Sequence, residues 1–186
     1  MAWRFKNGRM KTSPALLLAC ALVIPSFTRA ATTNVAPPSA SNQMTQVALT
    51  LPASAAAVSA PLILTNGVIS QPESTELPAG GKAVFNFTVT NAGNYVLQAV
   101  VDAPGEDANS FYVNVDAPPA DPAMIWDIPV TNGFEERTVS WRGKGDMDND
   151  EFVPKRFNLF AGAHQLIIVG REPAQLKSIS LRPAAN

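Results

Sequence analysis

The chain has 186 residues, of which 46% are hydrophobic and only 16% are charged, and it contains 16 prolines. A length of this order suits one domain with tails rather than two domains. The first 30 residues hold five basic side chains and no acidic one, which leaves nine basic and fifteen acidic residues, a net charge of −6, for the remainder. An acidic domain without a Lys/Arg stripe argues against nucleic-acid binding and against a basic membrane-surface patch.

The first 30 residues have the organisation of a secretory signal peptide. Basic residues at positions 4–11 precede an unbroken apolar run of ten residues, 15–24. That run is shorter than the roughly 20 residues that cross a bilayer, and it suits a signal-peptide core of about 7–15 residues. The small residues Thr28 and Ala30 predict cleavage after Ala30. We therefore expect an exported protein, periplasmic or extracellular, with no transmembrane segment in the mature chain.

The single cysteine leaves a second interpretation of this segment open. Residues 17–20, Leu-Leu-Ala-Cys, resemble the lipobox of bacterial lipoproteins, in which Cys20 would carry the lipid anchor. The apolar stretch before Cys20 is very short and four apolar residues follow it, which favours a cysteine inside the signal-peptide core. On that interpretation the mature chain has no cysteine, and its hydrophobic core alone must stabilise it.

Residues 31–61 predict a flexible linker. They consist mainly of Ala, Ser, Thr, Pro and Asn, and they include no charged residue. A segment with so little large apolar surface cannot offset the entropy cost of ordering its backbone. The folded domain is therefore predicted to span residues 62–186.

From residue 62 the pattern changes to the period of two that is typical of β-strands. Apolar residues recur at every second position in 85–89 and in 111–115. The other predicted strands are residues 62–69, 95–101, 124–128, 137–141, 165–169 and 177–181, separated by Gly, Pro and Asn turn signals. Eight short strands without a convincing amphipathic helix predict an all-β fold, a two-sheet jelly-roll β-sandwich.

The sequence offers little for catalysis. The only histidine, His164, stands where a turn enters a strand, and a strand residue bonded to backbone is a commoner role there than a catalytic one. The chain has no Gly-x-Ser-x-Gly nucleophile elbow and no Gly-rich phosphate-binding motif. One cysteine and one histidine cannot build a Cys/His zinc site. We therefore predict that the protein is not an enzyme. A glycoside hydrolase is a distant alternative, because its chemistry needs only two carboxylates.

The densest acidic cluster suggests calcium. Asp146, Asp148 and Asp150 project to the same side of an extended loop, and carboxylates are the hard oxygen ligands that calcium prefers. The segment is not an EF-hand, because it has no glycine at the sixth position and no flanking helices. A solvated acidic loop, countered by nearby basic residues, is the other interpretation.

Four residues are candidate ligand contacts, because sugar rings stack on aromatic faces and hydroxyls bond to amides. Tyr112 shares the polar side of its strand, and Asn109 lies in the loop before it. Trp126 and Trp141 alternate with apolar neighbours, so burial in the core is the competing role for both.

A set of short motifs recurs along the chain in an order found in a known group of β-sandwiches. They are Ala92-Gly-Asn-Tyr95, Asn109-Ser-Phe-Tyr-Val-Asn-Val-Asp116, Trp126-Asp127, Trp141, Phe157-Asn-Leu-Phe-Ala-Gly-Ala-His-Gln-Leu166 and Arg171-Glu-Pro-Ala-Gln-Leu-Lys-Ser-Ile-Ser-Leu181. Together they resemble galactose-binding-like domains, especially bacterial carbohydrate-binding modules of families six and thirty-five. In those modules an aromatic-rich strand ends in Val-Asp-Gly, and an Ala-Gly-x-His turn precedes the penultimate strand. The resemblance covers about residues 66–183.

The resemblance implies sugar binding through loop-borne aromatics and amides, and a structural calcium in many relatives. This sequence departs from the pattern at Ala117, where glycine usually follows the aspartate, and at Lys177, where an aspartate often precedes the last strand. We therefore expect an exported, non-catalytic carbohydrate-binding module that recognises polysaccharide. A structural or protein-binding domain of the cell envelope is the alternative.

Overall fold

A computed structural model describes residues 48–144 and 152–185. Within them the chain forms twelve strands and one turn of 3₁₀ helix, Ala53–Ala55. The strands are β1 (Leu49–Pro52), β2 (Ala57–Val58), β3 (Ile63–Thr65), β4 (Val68–Ser70), β5 (Lys82–Val89), β6 (Gly93–Asp102), β7 (Ser110–Val115), β8 (Ile125–Asp127), β9 (Glu135–Thr138), β10 (Phe157–Leu159), β11 (Gly162–Gly170) and β12 (Gln175–Pro183). None of the helical structure in this part of the chain is long and apolar enough to cross a membrane.

The strands form two antiparallel sheets that pack face to face. Sheet A has the order β10-β6-β12-β4-β3, with β1 also paired to β12 and β9 also paired to β6. Sheet B has the order β2-β5-β11-β7-β8. The predicted two-sheet β-sandwich is therefore confirmed.

The alternation of apolar residues builds the core between the sheets. In β5 the side chains of Phe85 and Phe87 point inward, and in β6 those of Leu97 and Val101 do the same, all with at most 7% of their surface exposed. Residues between them point outward, as period two requires. One continuous cluster of buried side chains holds the two sheets together.

The predicted linker is wrong over its described part, residues 48–61. Strand β1 pairs with β12 over four residues, and Leu49 and Leu51 pack on the core. Ala53 is completely buried, and β2 adds an edge strand to β5. A strand that joins an existing sheet gains backbone hydrogen bonds and needs only a few apolar side chains, which composition alone does not reveal.

Other differences from the prediction also concern strands. The single strand predicted at 62–69 is a hairpin of β3 and β4, whose turn residues Asn66 and Gly67 have φ values of 51° and 76°. Two positive φ values at Asn-Gly are the mark of a tight two-residue hairpin turn. Strands β1, β2 and β10 were not predicted. The described residues do not include the predicted signal peptide 1–30 with Cys20, the linker segment 31–47, or the predicted calcium ligands Asp146, Asp148 and Asp150.

Neighbouring residues in the turn after β1 provide a test of the corrected domain boundary. Ala53→Asp should lower the free energy of unfolding by more than about 3 kcal/mol, because it places a charge in a site without solvent. Ser54→Asp should change it by less than about 0.5 kcal/mol, because Ser54 is exposed. Urea unfolding of the full chain measures both. Equal, small effects would show that this segment is a linker after all.

Candidate functional site

The outer face of sheet B carries polar side chains toward solvent at one end. Asn86 and Thr88 of β5 and Ala163 and Gln165 of β11 point away from the core and are exposed. The register places Gln165 opposite Asn86 and Ala163 opposite Thr88, so these four side chains share one surface.

An open cleft of about 330 Å³ lies at this end of the face, and we call it the Asp116 cleft. Its lining consists of Asn86, Phe87, Thr88, Asp116, Ala163, His164 and Gln165. The volume is in the range of small-molecule sites, and the lining is rich in hydrogen-bonding groups. The cleft therefore suits a small polar group better than an apolar one.

The carboxylate of Asp116 is held in place by two hydrogen bonds. Its Oδ1 accepts the backbone N–H of Gln165 at 2.9 Å, and its Oδ2 lies 2.6 Å from Nδ1 of His164. Asp116 follows β7 directly and has a φ of 62°, a left-handed conformation that aspartate tolerates better than most residues. Because 48% of its side chain is exposed, the carboxylate keeps free lone pairs that face the cleft.

The imidazole of His164 is fixed on three sides. Its Nδ1 faces Asp116, its Nε2 donates to the carbonyl oxygen of Phe160 at 2.8 Å, and its ring stacks on Phe87 with centroids 5.6 Å apart. Only 8% of the side chain is exposed. The expectation that His164 is a backbone-bonded residue at a strand start is confirmed, with an aspartate as an additional partner.

A pair of amides completes the polar lining. Gln165 Nε2 donates to Asn86 Oδ1 at 2.9 Å, which leaves Asn86 Nδ2 as a donor and Gln165 Oε1 as an acceptor. The carboxylate of Asp116 and the hydroxyl of Thr88 stand in the same cleft. Donors and acceptors at short spacing match a ligand with neighbouring hydroxyl groups, each of which both donates and accepts.

One exposed aromatic residue beside this cleft was not predicted as a site residue. Phe160 is 76% exposed and lies in the turn between β10 and β11, and its carbonyl oxygen bonds to His164. In β10, Phe157 and Leu159 are buried and Asn158 is exposed. Continuing that alternation by one residue would have predicted an outward Phe160.

A second cleft, of about 450 Å³, lies at the other end of sheet B, and we call it the Arg171 cleft. Its lining consists of Ser74, Thr75, Glu76, Leu77, Ala79, Arg171 and Glu172. Arg171 is already bonded, because Nη1 contacts both Glu172 and the hydroxyl of Ser110. Both contacts hold Nη1 of this guanidinium against side chains of the protein.

The connection between β4 and β5 crosses this end of the sheet and buries Tyr112. Thr75 donates its backbone N–H to the carbonyl of Arg171 at 2.7 Å, and Leu77 packs on the cluster formed by Tyr112, Ile125 and Val169. Tyr112 is only 1% exposed, so the prediction that it is an exposed stacking residue is wrong. Burial raises the pKa of its hydroxyl, and so does the negative charge of Asp121.

The two candidate tryptophans both make contacts within the domain. Trp126 is completely buried in the core, so it cannot contact a ligand in this structure. Trp141 donates from Nε1 to the carbonyl of Val113 at 2.8 Å, and the ammonium of Lys155 lies 3.9 Å above its ring centroid. Both residues stabilise the domain, which was the competing interpretation.

Asn109 is the fourth candidate ligand contact. Asn109 is half-buried beside the Arg171 cleft, where its backbone N–H bonds to Glu172 Oε2 at 3.2 Å and its Nδ2 contacts Glu106 at 3.4 Å. The four predicted contacts are therefore not brought together in one site. Over residues 48–144 and 152–185, no cluster of three metal-ligating side chains occurs. The calcium prediction at Asp146, Asp148 and Asp150 stays a prediction.

The contacts of His164 predict how stability depends on pH. Burial lowers its pKa, but the bonds to Asp116 and to the Phe160 carbonyl outweigh this, so the pKa is raised overall. A raised pKa means that the stabilisation is complete below the unfolded value of about 6.5 and is lost as pH rises through the folded value. The free energy of unfolding should exceed that of His164→Gln by more at pH 5.5 than at pH 9. Urea unfolding at several pH values in this range measures both proteins. If the difference between their free energies of unfolding does not change with pH, the raised pKa of His164 is wrong.

No protein-family model matches the sequence, and no curated protein sequence matches it either. Solved structures do match. The Podospora anserina GH26-CBM35 β-(1,4)-mannanase superposes with a TM-score of 0.55 at 15% identity, over 76% of this chain, which spans only 28% of that protein. A family 35 carbohydrate-binding module from Clostridium thermocellum gives 0.53 at 12% identity, over 74% of this chain and 99% of the module.

A third structure agrees with these two. The C-terminal CBM6 of a marine laminarinase from Zobellia galactanivorans has a TM-score of 0.50 at 14% identity, over 73% of this chain and 98% of that one. Identities this low carry information about the fold. The chain has a β-sandwich fold similar to that of carbohydrate-binding modules of families 35 and 6.

Proposed function

We propose that this chain is an exported, non-catalytic protein that binds polysaccharide, and that the Asp116 cleft is its hydroxyl-binding site. The observation that carries the proposal is a half-exposed carboxylate, held by two hydrogen bonds, beside the free donor of Asn86 and the free acceptor of Gln165. The fold of the structural neighbours supports the same function.

The chemistry of the cleft favours a neutral sugar. An ionised carboxylate accepts strong, charge-assisted hydrogen bonds from hydroxyls, whereas it repels phosphate, sulfate and uronate groups. The amides of Asn86 and Gln165 can serve a second hydroxyl, because one offers a donor and the other an acceptor. Ala163, which lies opposite Thr88, adds only a methyl group to the lining of the cleft.

The expected affinity is modest. A shallow cleft buries little ligand surface, and each ordered hydroxyl exchanges hydrogen bonds with water for hydrogen bonds with protein. We expect dissociation constants between about 0.1 and 1 mM for one short oligosaccharide, which corresponds to about 4–5.5 kcal/mol. The exposed ring of Phe160 is the nearest aromatic surface in the adjoining turn on which a sugar could stack.

One sequence feature and one structural observation support the other parts of the proposal. The basic segment followed by ten apolar residues is the basis for export. The only histidine of the chain has both ring nitrogens engaged by Asp116 and Phe160, which leaves no free imidazole for general acid–base chemistry.

A pair of matched variants tests the assigned site. Asn86→Ala removes a donor from the Asp116 cleft and should weaken binding by about 5- to 10-fold, the effect of one lost hydrogen bond. Glu76→Gln changes the Arg171 cleft and should leave affinity unchanged. Affinity electrophoresis in glucomannan, laminarin, xylan and arabinogalactan, followed by calorimetry on the best ligand, measures both.

The outcomes separate the alternatives. The opposite pattern, with Glu76→Gln weakened and Asn86→Ala unchanged, would move the site to the Arg171 cleft and retain the function. If the folded protein binds none of the four polysaccharides nor any sugar on a glycan array, carbohydrate binding is wrong. Co-purification with one envelope protein would then support the structural alternative, and release of labelled product from a polysaccharide would instead indicate a hydrolase.

Calcium binding at Asp146, Asp148 and Asp150 is a separate proposal that rests on the sequence. Calcium bound only by the folded protein would raise the melting temperature at millimolar concentration, and EDTA would lower it again. Asp148→Asn should remove this response, while Asp107→Asn, an exposed acid outside the loop, should retain it. An identical melting temperature in calcium and in EDTA would contradict a stabilising site.

A further inference from the structure

We infer that His164 is a positioning residue for ligand binding. Its ring, hydrogen-bonded at both nitrogens, holds the Asp116 carboxylate in the orientation that accepts a hydrogen bond from a ligand hydroxyl. Binding is strongest while both ring nitrogens are protonated. This inference rests on the function proposed above. It concerns regulation of the Asp116 cleft by pH, because protonation of the His164 ring changes how firmly the Asp116 carboxylate is held.

Among the described residues that contact the His164 ring, one carries a charge. Strand β5 contributes the uncharged ring of Phe87, the turn after β10 contributes the carbonyl of Phe160, and the end of β7 contributes Asp116. Beside it on β11, Gln165 presents a neutral amide. Within the described part of the chain, Asp116 is therefore the charged partner that responds to the state of His164.

The protons on the ring follow from its two partners. A carbonyl oxygen only accepts, and an ionised carboxylate only accepts, so two good hydrogen bonds need an N–H on both nitrogens. That species is the imidazolium. When the ring loses one proton, a nitrogen lone pair must face an oxygen lone pair, either at the 2.6 Å contact with Asp116 or at the 2.8 Å contact with Phe160.

Loss of the proton on Nδ1 removes one of the two hydrogen bonds that hold the Asp116 carboxylate, whereas loss of the proton on Nε2 removes the bond to Phe160 that holds the ring in place against Asp116. The bond from the backbone N–H of Gln165 to Oδ1 remains, but one bond leaves the group free to turn. Nearly half of this side chain is exposed, so solvent rather than packing surrounds the rest of it. A ligand that binds the loosened carboxylate must pay the entropy of ordering it, which weakens binding.

When His164 is neutral, the Asp116 carboxylate also loses the positive charge beside it. While the ring is protonated, its positive charge stabilises the ionised carboxylate across the shared hydrogen bond. A neutral ligand keeps its own charge constant with pH, so any pH dependence of its binding between pH 5.5 and 8.5 reports on the protein. We expect affinity to fall by about 3- to 10-fold over this interval.

Calorimetry with the best-binding neutral polysaccharide tests the inference in the full chain. The wild type should bind more weakly at pH 8.5 than at pH 5.5. His164→Ala should bind weakly at both pH values. His164→Asn, whose amide can donate toward Asp116 but does not titrate, should recover part of the affinity and show no pH dependence. Circular dichroism at each pH confirms that each variant is folded.

A readout without ligand accompanies the binding data. Because the chain has one histidine, the imidazole signals in an NMR titration belong to His164. Asp116→Asn should shift the midpoint of that titration to lower pH. A midpoint unchanged by this substitution would overturn the proposed pairing.

The results distinguish this inference from the proposed function. Equal affinity of the wild type and a folded His164→Asn at every pH, or binding by the wild type that strengthens as pH rises, would overturn the positioning role while carbohydrate binding stands. Absence of binding to every polysaccharide at both pH values would overturn the proposed function, and this inference with it.

Discussion

Burial of Leu166 and Ile168 on the inner face of β11 determines which way every other residue of this strand points. β11 is the central strand of sheet B and pairs with β5 on one side and β7 on the other. A slip of one residue would turn both side chains, which are completely buried, toward solvent. The same register presents Gln165 and Ala163 outward and brings His164 to the end of β7.

The two ends of β11 differ in what covers them. At Gly170 the connection between β4 and β5 crosses the strand, and the amide of Gln71 packs where a side chain at position 170 would stand. Leu77 and the buried Tyr112 fill the adjoining space. At the other end no comparable connection among residues 48–144 and 152–185 covers Ala163 and Gln165, which are exposed. The Asp116 cleft therefore lies at one end of β11, and Tyr112 is buried near the other end.

The Asp116–His164 pair connects stability with binding. Asp116 terminates β7 in a left-handed conformation, and its two oxygens contact two successive residues of β11. The same contacts that fasten the end of one strand to the start of another leave the carboxylate facing a cleft. Such a group stabilises the folded state and is already ordered when a ligand arrives, so less of the binding free energy is lost to ordering.

The alternation of apolar residues by itself determined the fold class and most of the core, because period two at Phe85 and Phe87 or at Phe111 and Val113 has one consistent interpretation. It also indicated that His164 is bonded at a strand start. Only the tertiary structure decided which outward residues stay exposed, since alternation assigns a face but not what covers it. Tyr112 has the pattern of an exposed residue and is buried by a connection that is distant along the chain, whereas Asp116 and Asn86 become neighbours of one cleft through pairing with β11. The strand β1 was hidden for the same reason, because an edge strand owes its order to the hydrogen-bonding groups of the strand it joins.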